Sequence, residues 1–396
     1  MLGLLLARAG VQVTVMEKHA DFLRDFRGDT VHASTLRLID ELGLAPAFNA
    51  VPHRLIEGVN VAVQGGTLSL SLGHLPGDHQ HIALVPQWDF LEMLATAAAT
   101  EPTFRLLRNT EVLGPLYQGA RVVGVRYRDA DGQTQQMRAT LTVGCDGRAS
   151  TLRAGTGFVP RSFGAPMDVW WFRLSRREDD PSGLNGRFES GQGAALIDRG
   201  DYFQIAYLIK KGSDAALRAE GIDALRRRIT TLVPWLTDRV DELQSFDDVK
   251  LLDVQLNRLR KWYGDGILFL GDAAHAMSPV GGVGINLAVA DAVAAARILA
   301  GPLRSGTVSG RHLAAVQARR WLPAALIQRV QRFVHDNVIA RGLTVPTDNS
   351  EPPRALRLAN RFPVLTRVAA YGVAIGPLPE HIPDFARRAE VPISGR

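Results

Sequence analysis

The stretch ILFLGDAAHAMSPVGGVGINLAVA, residues 267–290, holds the residue types that most directly suggest chemistry. Ile267 to Leu270 are four apolar residues in a row, the content of a short buried strand. Gly271 follows, where the missing Cβ lets a second backbone or a ligand approach closely. Asp272 then sets a carboxylate just past the strand end. In open α/β sheets, ligands bind in the crevice outside the carboxyl ends of the strands, so Asp272 is placed to face the hydroxyls of a ribose or ribityl chain. Pro279, Gly281, Gly282, Val283 and Gly284 make a loop whose backbone can lie against a flat ligand. A helix from about Ile285 and Asn286 turns its free amides and positive dipole end towards that ligand, which suits a ring that becomes anionic on two-electron reduction. A lone Gly-Asp pair is more simply a turn with a helix cap. Strand, Gly-Asp, proline, glycine run and helix in this order favour a ligand.

The elements around this stretch must position it. Residues 11–17 alternate like a strand and end on the acid Glu17. Residues 34–44 carry Leu36, Ile39, Leu42 and Leu44 at helical spacing, with Ser34 as N-cap. Residues 58–72 read as a hairpin around Gly65-Gly66 and residues 86–100 as a helix. Residues 121–147 give two strands around Asp131-Gly132, then a buried strand running into Asp146-Gly147. From about 158 the character changes to aromatic-bearing alternation at 168–175 and 202–212, a helix over 214–235 and an extended piece over 248–263. The strand at 266–270 and an alanine-rich helix over 284–300 restore the first character. Residues 312–340 and 351–396 look helical and carry no motif of their own.

These patterns predict an α/β fold, a Rossmann-like nucleotide domain interrupted by a sheet-rich substrate domain and followed by a helical C-terminal region. The expected boundaries are 1–57, 85–157 and 265–300 for the nucleotide domain, 58–84 and 158–264 for the substrate domain, and 301–396 for the C-terminal helices.

Composition narrows the function classes. The net charge is +6, but only five of the 46 cationic residues are lysines. The arginines are scattered, the longest run being Arg226 to Arg228, so no nucleic-acid partner is expected. The one cysteine, Cys145, rules out an internal disulfide framework, fits a reducing, cytoplasmic setting, and reads as a small buried residue of a strand. No run approaches the roughly 18 apolar residues of a membrane span, so no integral membrane association is expected. The first segment lacks the basic start and apolar length of a secretion signal. His275 and His32 read more simply as structural histidines than as acid–base groups.

GDAAHAMSPVGGVGINLAVADA resembles the flavin-ribityl motif of the FAD-dependent monooxygenases related to para-hydroxybenzoate hydroxylase. Two further stretches agree in order. VGCDGRASTLR (143–153) is similar to that family's Asp-Gly motif, and VTVMEKHADFLRDFRGDTVHASTLRLIDELGL (13–44) to the segment between its ribose-binding acid and flavin-facing arginine. The resemblance implies an FAD/NAD(P)-binding domain and NAD(P)H as a transient reductant. It also implies oxygen activation as a flavin C4a-hydroperoxide and transfer of one oxygen atom to an aromatic, phenol- or polyketide-like substrate. By the same resemblance Glu17 contacts the adenosine ribose, with Lys18 beside it, and Arg27 the diphosphate or ribityl side. Gln87 contacts the ribityl chain, the Val112 backbone the adenine, and Asp146 the FAD and nicotinamide side. Asp272 takes the ribityl hydroxyls, Pro279 lies near the reactive flavin edge, Gly282 to Asn286 cover the pyrimidine end, and Gly271 and Gly281 belong to the same cofactor-binding loop. The aromatics Trp170, Trp171, Phe172, Tyr202, Phe203 and Tyr207 are expected to roof the substrate cavity, about half of them serving as core. Assembly as a homodimer is left open.

Two alternatives stand beside the hydroxylase. One is a related flavoenzyme, a halogenase or prenyl reductase, although VWWF (169–172) lacks the spaced tryptophan pair of the halogenases. The other is a cofactor-free, inactive fragment. The glycine fingerprint of a dinucleotide fold lies about 20 residues before the ribose-binding acid. Counted back from Glu17 it falls before Met1, so MLGLLLARAG reads as the second half of the diphosphate-binding helix. The chain is expected to be truncated or to start at a misplaced codon, with weakened FAD affinity.

Overall fold

Two separate pairs of parallel strands form the first part of the fold. In the computed structural model, which describes residues 1–22, 30–63, 66–189, 191–343 and 362–389, Val13–Met16 runs parallel to Phe104–Leu107, and Thr142–Gly144 parallel to Ile267–Phe269. Tyr263–Gly264 adds an antiparallel edge to the second pair. Among the described residues, Val13–Met16 and Thr142–Gly144 each keep one edge without a strand. The Leu2–Arg8 helix buries Leu4, Leu5 and Leu6 in one cluster with Phe90 and Leu94 of the Gln87–Ala99 helix and with Val289 and Val293 of the Gly284–Arg304 helix.

That last helix is built from alanines, the strongest helix formers, and their small side chains allow close packing on every side. Ala292, Ala294, Ala295 and Ala296 are buried. Residues 280–304 are long and apolar enough to cross a membrane by composition, which corrects the expectation that no such segment exists; their burial is that of a core helix.

The largest sheet among the described residues has seven strands, in the order Lys250–Leu252, Met167–Ser175, Tyr202–Lys210, Gln192–Asp198, Leu184–Glu189, Gly58–Val63 and Gly66–Ser71. The 58–71 hairpin joins it through the parallel pairing of Gly58–Val63 with Leu184–Glu189. Strand alternation sorts the aromatics. Trp170, Phe172, Phe203 and Tyr207 pack in one buried cluster with Leu225, Ile229 and Leu232 of the Ile222–Leu232 helix, so these four are core. Trp171 lies on the opposite face, partly buried against the cluster of Val169, Val254 and Ile339.

Several boundaries differ from expectation. The 214–235 helix divides into Asp214–Ala219 and Ile222–Leu232 at Gly221, whose φ of 83° only glycine adopts readily. Residues 248–263 supply the short strands Lys250–Leu252 and Asn257–Arg258 and the first residue of Tyr263–Gly264. Cys145 is exposed, because the strand stops at Gly144 and Cys145 belongs to the following loop.

Candidate functional site

The neighbouring parallel strands Thr142–Gly144 and Ile267–Phe269 release their loops side by side. The Leu270 amide donates to the Gly144 carbonyl at 3.0 Å, which carries the ladder one step beyond the strands. Asp146 and Asp272 therefore emerge at the same end of one sheet. The loops are joined by Arg153, whose Nη1 donates to the Ala273 carbonyl at 3.0 Å, and by Arg148, whose Nε lies 3.8 Å from Asp272 Oδ2. The Asp272 side chain stays 41% exposed, so its carboxylate is accessible to a ligand. Asp146 is used differently. Its Oδ1 accepts from the Ser150 hydroxyl at 2.5 Å and its Oδ2 from the Leu152 amide at 3.0 Å, so the carboxylate secures the start of the Thr151–Gly155 helix.

The glycine loop meets the Thr30–Val31 strand. Thr30 Oγ1 donates to the Gly282 carbonyl at 2.8 Å, and a Cβ on Gly282 would collide with that hydroxyl. Gly281 and Gly282 have φ of 81° and 62°, the left-handed region that glycine tolerates. The Gly284–Arg304 helix starts without a side-chain cap and without an acid in its first turn, so its leading amides are left for another acceptor. A ligand with acceptor atoms and a flat face fits this start. Asn286 does not reach out to it. Its Oδ1 accepts from the His32 amide at 2.9 Å and the Thr35 hydroxyl at 2.7 Å, and its Nδ2 donates to the Thr30 carbonyl at 3.0 Å. Asn286 thus clamps the helix start to residues 30–35. His32 is buried, its Nδ1 is bonded to the Val373 carbonyl, and burial lowers its pKa to about 4.

The remaining expected residues are more dispersed. Glu17 follows the Val13–Met16 strand with Oε1 accepting from the His19 amide at 3.1 Å, and Lys18 is exposed beside it. Gln87 is the first residue of its helix and half-buried. Val112 pairs with Tyr127 in the antiparallel Glu111–Gln118 and Arg121–Arg128 ladder. Arg27 lies outside the described residues. No group of three or more metal-type ligands occurs among the described residues.

Two constellations were not legible in the sequence motifs. Asp291, buried on the Gly284–Arg304 helix, accepts from the Gly271 amide (3.2 Å), His275 Nε2 (2.6 Å) and Arg320 Nε (3.0 Å). It therefore holds the Gly-Asp turn from behind, and its own neighbour Arg320 lies 3.5 Å from Glu380. The Gly310–Val334 helix, without a motif in the sequence, holds the loop before the glycines. Gln331 donates to the carbonyls of Ser278 (2.9 Å) and Val280 (2.8 Å), Gln328 donates to Ala276 (3.1 Å), and His335 Nε2 bonds the Ser278 hydroxyl (2.8 Å). Their signal was a polar stripe at i, i+3 and i+7, visible only once a loop is known to lie against it.

Comparisons with known proteins identify the family. The FAD binding domain family matches residues 1–330. The chain is 34% identical over 382 residues to 6-methylpretetramide 4-monooxygenase of Streptomyces rimosus, covering 94% of this chain and 89% of that one. It spans 58–62% of the length of several longer monooxygenase relatives. Among solved structures, OxyS anhydrotetracycline hydroxylase from S. rimosus superposes with a TM-score of 0.73 at 23% identity, over 94% of this chain and 73% of that one. PqsL of P. aeruginosa, solved with 2-aminobenzoylacetate, superposes with 0.74 at 20% identity, over 86% and 94%.

Proposed function

The chain belongs to the FAD-binding domain family and is an FAD-dependent monooxygenase, and from that premise we propose that its substrate is a fused-ring phenolic molecule of polyketide type. The observation that carries the substrate class is the 34% identity, over nearly the whole chain, to an enzyme named for its action on 6-methylpretetramide. The net reaction consumes the substrate, O2, NAD(P)H and a proton, and yields hydroxylated substrate, water and NAD(P)+. FAD, when bound, supplies the electron transfer and oxygen activation that no side chain here can provide.

The chain's own residues bind and orient. Asp272 would take ribityl hydroxyls on its exposed carboxylate. The uncapped Gly284–Arg304 helix start, with Gly281, Gly282, Val283, Gly284 and Ile285, would present amides to the pyrimidine end. Asn286 would act one step back, by fixing that start. Glu17 and Lys18 would lie along the adenosine ribose, Val112 near the adenine, Gln87 on the ribityl side and Pro279 beside the reactive edge. Asp146 would shape the cofactor side by holding its own loop rather than by touching the ligand. The half-buried Trp171, whose indole N–H has no hydrogen-bond partner among the described residues, lies on the sheet face opposite the aromatic core and would meet the substrate. A cytoplasmic setting supplies NAD(P)H and keeps Cys145 reduced.

The test is direct. The purified protein, supplied with FAD, NAD(P)H and tetracyclic phenols, is expected to give product bearing one atom from isotopically labelled O2. NAD(P)H oxidation unaffected by any such phenol, with only hydrogen peroxide formed, would count against this substrate class.

A further inference from the structure

On the outer side of the Gly310–Val334 helix three guanidinium groups gather around one ring. Arg161, Arg258 and Arg332 lie 5.4, 5.4 and 5.5 Å from the centroid of Phe163, and Arg258 also lies 4.7 Å from the ring of Trp321. A ring has two faces, so at least two of the three cations share a side. They come from three separate elements. Arg161 and Arg258 face each other across the antiparallel pairing of Arg161–Ser162 with Asn257–Arg258, and Arg332 comes from the helix.

Like charges at this spacing repel, and surface arginines normally relieve the repulsion by pairing with carboxylates. Here no carboxylate pairs with any of the three among the described residues. The polar contact found for the cluster is Arg258 Nη1 donating to Gln328 Oε1 at 2.8 Å. Burial, and then the charge of Arg161, both lower the pKa of Arg258, and no acid offsets them. The Gly310–Val334 helix contains four other arginines and not one Asp or Glu. One ring gathers the three guanidinium groups while no carboxylate among the described residues takes their N–H donors, the condition in which arginines bind oxyanions by charge-assisted forks.

We propose that Arg161, Arg258 and Arg332 form a binding site for a phosphate group, separate from the Gly271–Asp272 loop and bounded by Phe163 and Trp321. The site is linked to the flavin loop through the protein. Gln328, which accepts from Arg258, itself donates to the Asn257 and Ala276 carbonyls, so Arg258 lies two hydrogen bonds away from the segment leading to Pro279. A phosphate here has two plausible carriers, a soluble phosphate ester such as the nicotinamide reductant or an anionic lipid headgroup. The site itself does not depend on which of them brings it.

The experiment uses the full chain with its flavin and titrates pyrophosphate, then NADPH against NADH, then phosphatidylglycerol against phosphatidylcholine vesicles. Saturable binding in at least one of these is expected, weakened about tenfold or more by Arg161→Gln and again by Arg332→Gln, the loss of one charge-assisted contact each. Arg329→Gln, on the same helix but outside the cluster, is expected to leave binding unchanged, and flavin absorbance is expected to be intact in all three variants. Preference for NADPH over NADH assigns the site to the reductant's extra phosphate, and binding confined to anionic vesicles assigns it to a lipid. No saturable binding in any arm, or binding that Arg161→Gln and Arg332→Gln leave intact, overturns the proposal.

Discussion

Asp291 is the residue on which the Gly-Asp turn depends without being part of it. Burial alone would raise the pKa of its carboxyl, but His275 and Arg320 outweigh burial and hold it below the usual carboxylate range. Removing one partner of a buried charge cluster leaves the others uncompensated, at a cost of about 3–5 kcal/mol. Asp291→Ala is therefore expected to lower stability by that order in denaturant unfolding, because Arg320 and His275 stay buried. A loss below 1 kcal/mol would show that the cluster relaxes into solvent. His32 makes a separate statement about acidity. Its folded pKa of about 4 lies below the ordinary value of 6.5, so between those pH values the unfolded chain takes up a proton that the native fold refuses. Stability from this group is complete above pH 6.5 and falls as the pH drops towards 4, by about 3 kcal/mol in all. In His32→Gln the unfolding free energy is expected to change less with pH across that window than in the parent chain. Equal slopes would remove His32 from the account.

At the scale of elements, the glycine loop works because a turn, a strand and a helix start occupy one small space. Gly282→Ala would drive a Cβ into Thr30 Oγ1 at a φ that side chains rarely adopt. The expected result is a loss of roughly 1–3 kcal/mol in thermal unfolding, with a flavin content well below that of the parent. Adding Thr30→Ala removes the hydroxyl but not the φ strain, so only partial recovery is expected. Full recovery would mean that sterics alone act there, and none would mean that φ alone does.

Much of this element logic was readable in the chain. The apolar run, Gly-Asp, glycine loop and alanine helix over 267–300 carry their geometry locally, through φ preference, propensity and amide exposure. The 58–71 hairpin was readable for the same reason and was grouped with residues 158–264, although the strand it pairs with was not readable, since that strand begins at Leu184. Asn286 was read as a ligand contact, but tertiary neighbours at Thr30, His32 and Thr35 claim its amide. Gln328, Gln331 and His335 escaped notice because a side chain that serves a loop some fifty residues earlier leaves no local pattern. Cys145 was misplaced by one residue of strand length, since the strand ends at Gly144 and Cys145 falls in the loop that follows.

For the whole molecule, the candidate flavin site draws on segments far apart in the chain. Thr142–Gly144 and Val13–Met16 lie in different sheets, and Asp272, Glu17 and Gln87 come from separate elements. A ligand touching all of them would add long-range links that the apoprotein lacks, and its binding energy would appear as folding stability. With FAD at a hundredfold excess over its dissociation constant, the gain is about 2.7 kcal/mol. Thermal unfolding followed across an FAD titration is expected to rise steadily by that measure. Asp272→Ala removes an exposed carboxylate, so its own cost without flavin is expected to stay within about 0.5–1 kcal/mol. The same substitution is expected to shift the FAD-dependent rise to higher FAD concentration by tenfold or more, the loss of contacts to a charged acceptor. The two readings separate the ligand from the scaffold. If Asp272→Ala lowers the apoprotein midpoint and leaves the FAD-dependent rise in place, Asp272 serves the fold and the ribityl assignment fails. If the rise is lost while the apoprotein is unchanged, the carboxylate at the end of the Ile267–Phe269 strand is the group that binds the cofactor.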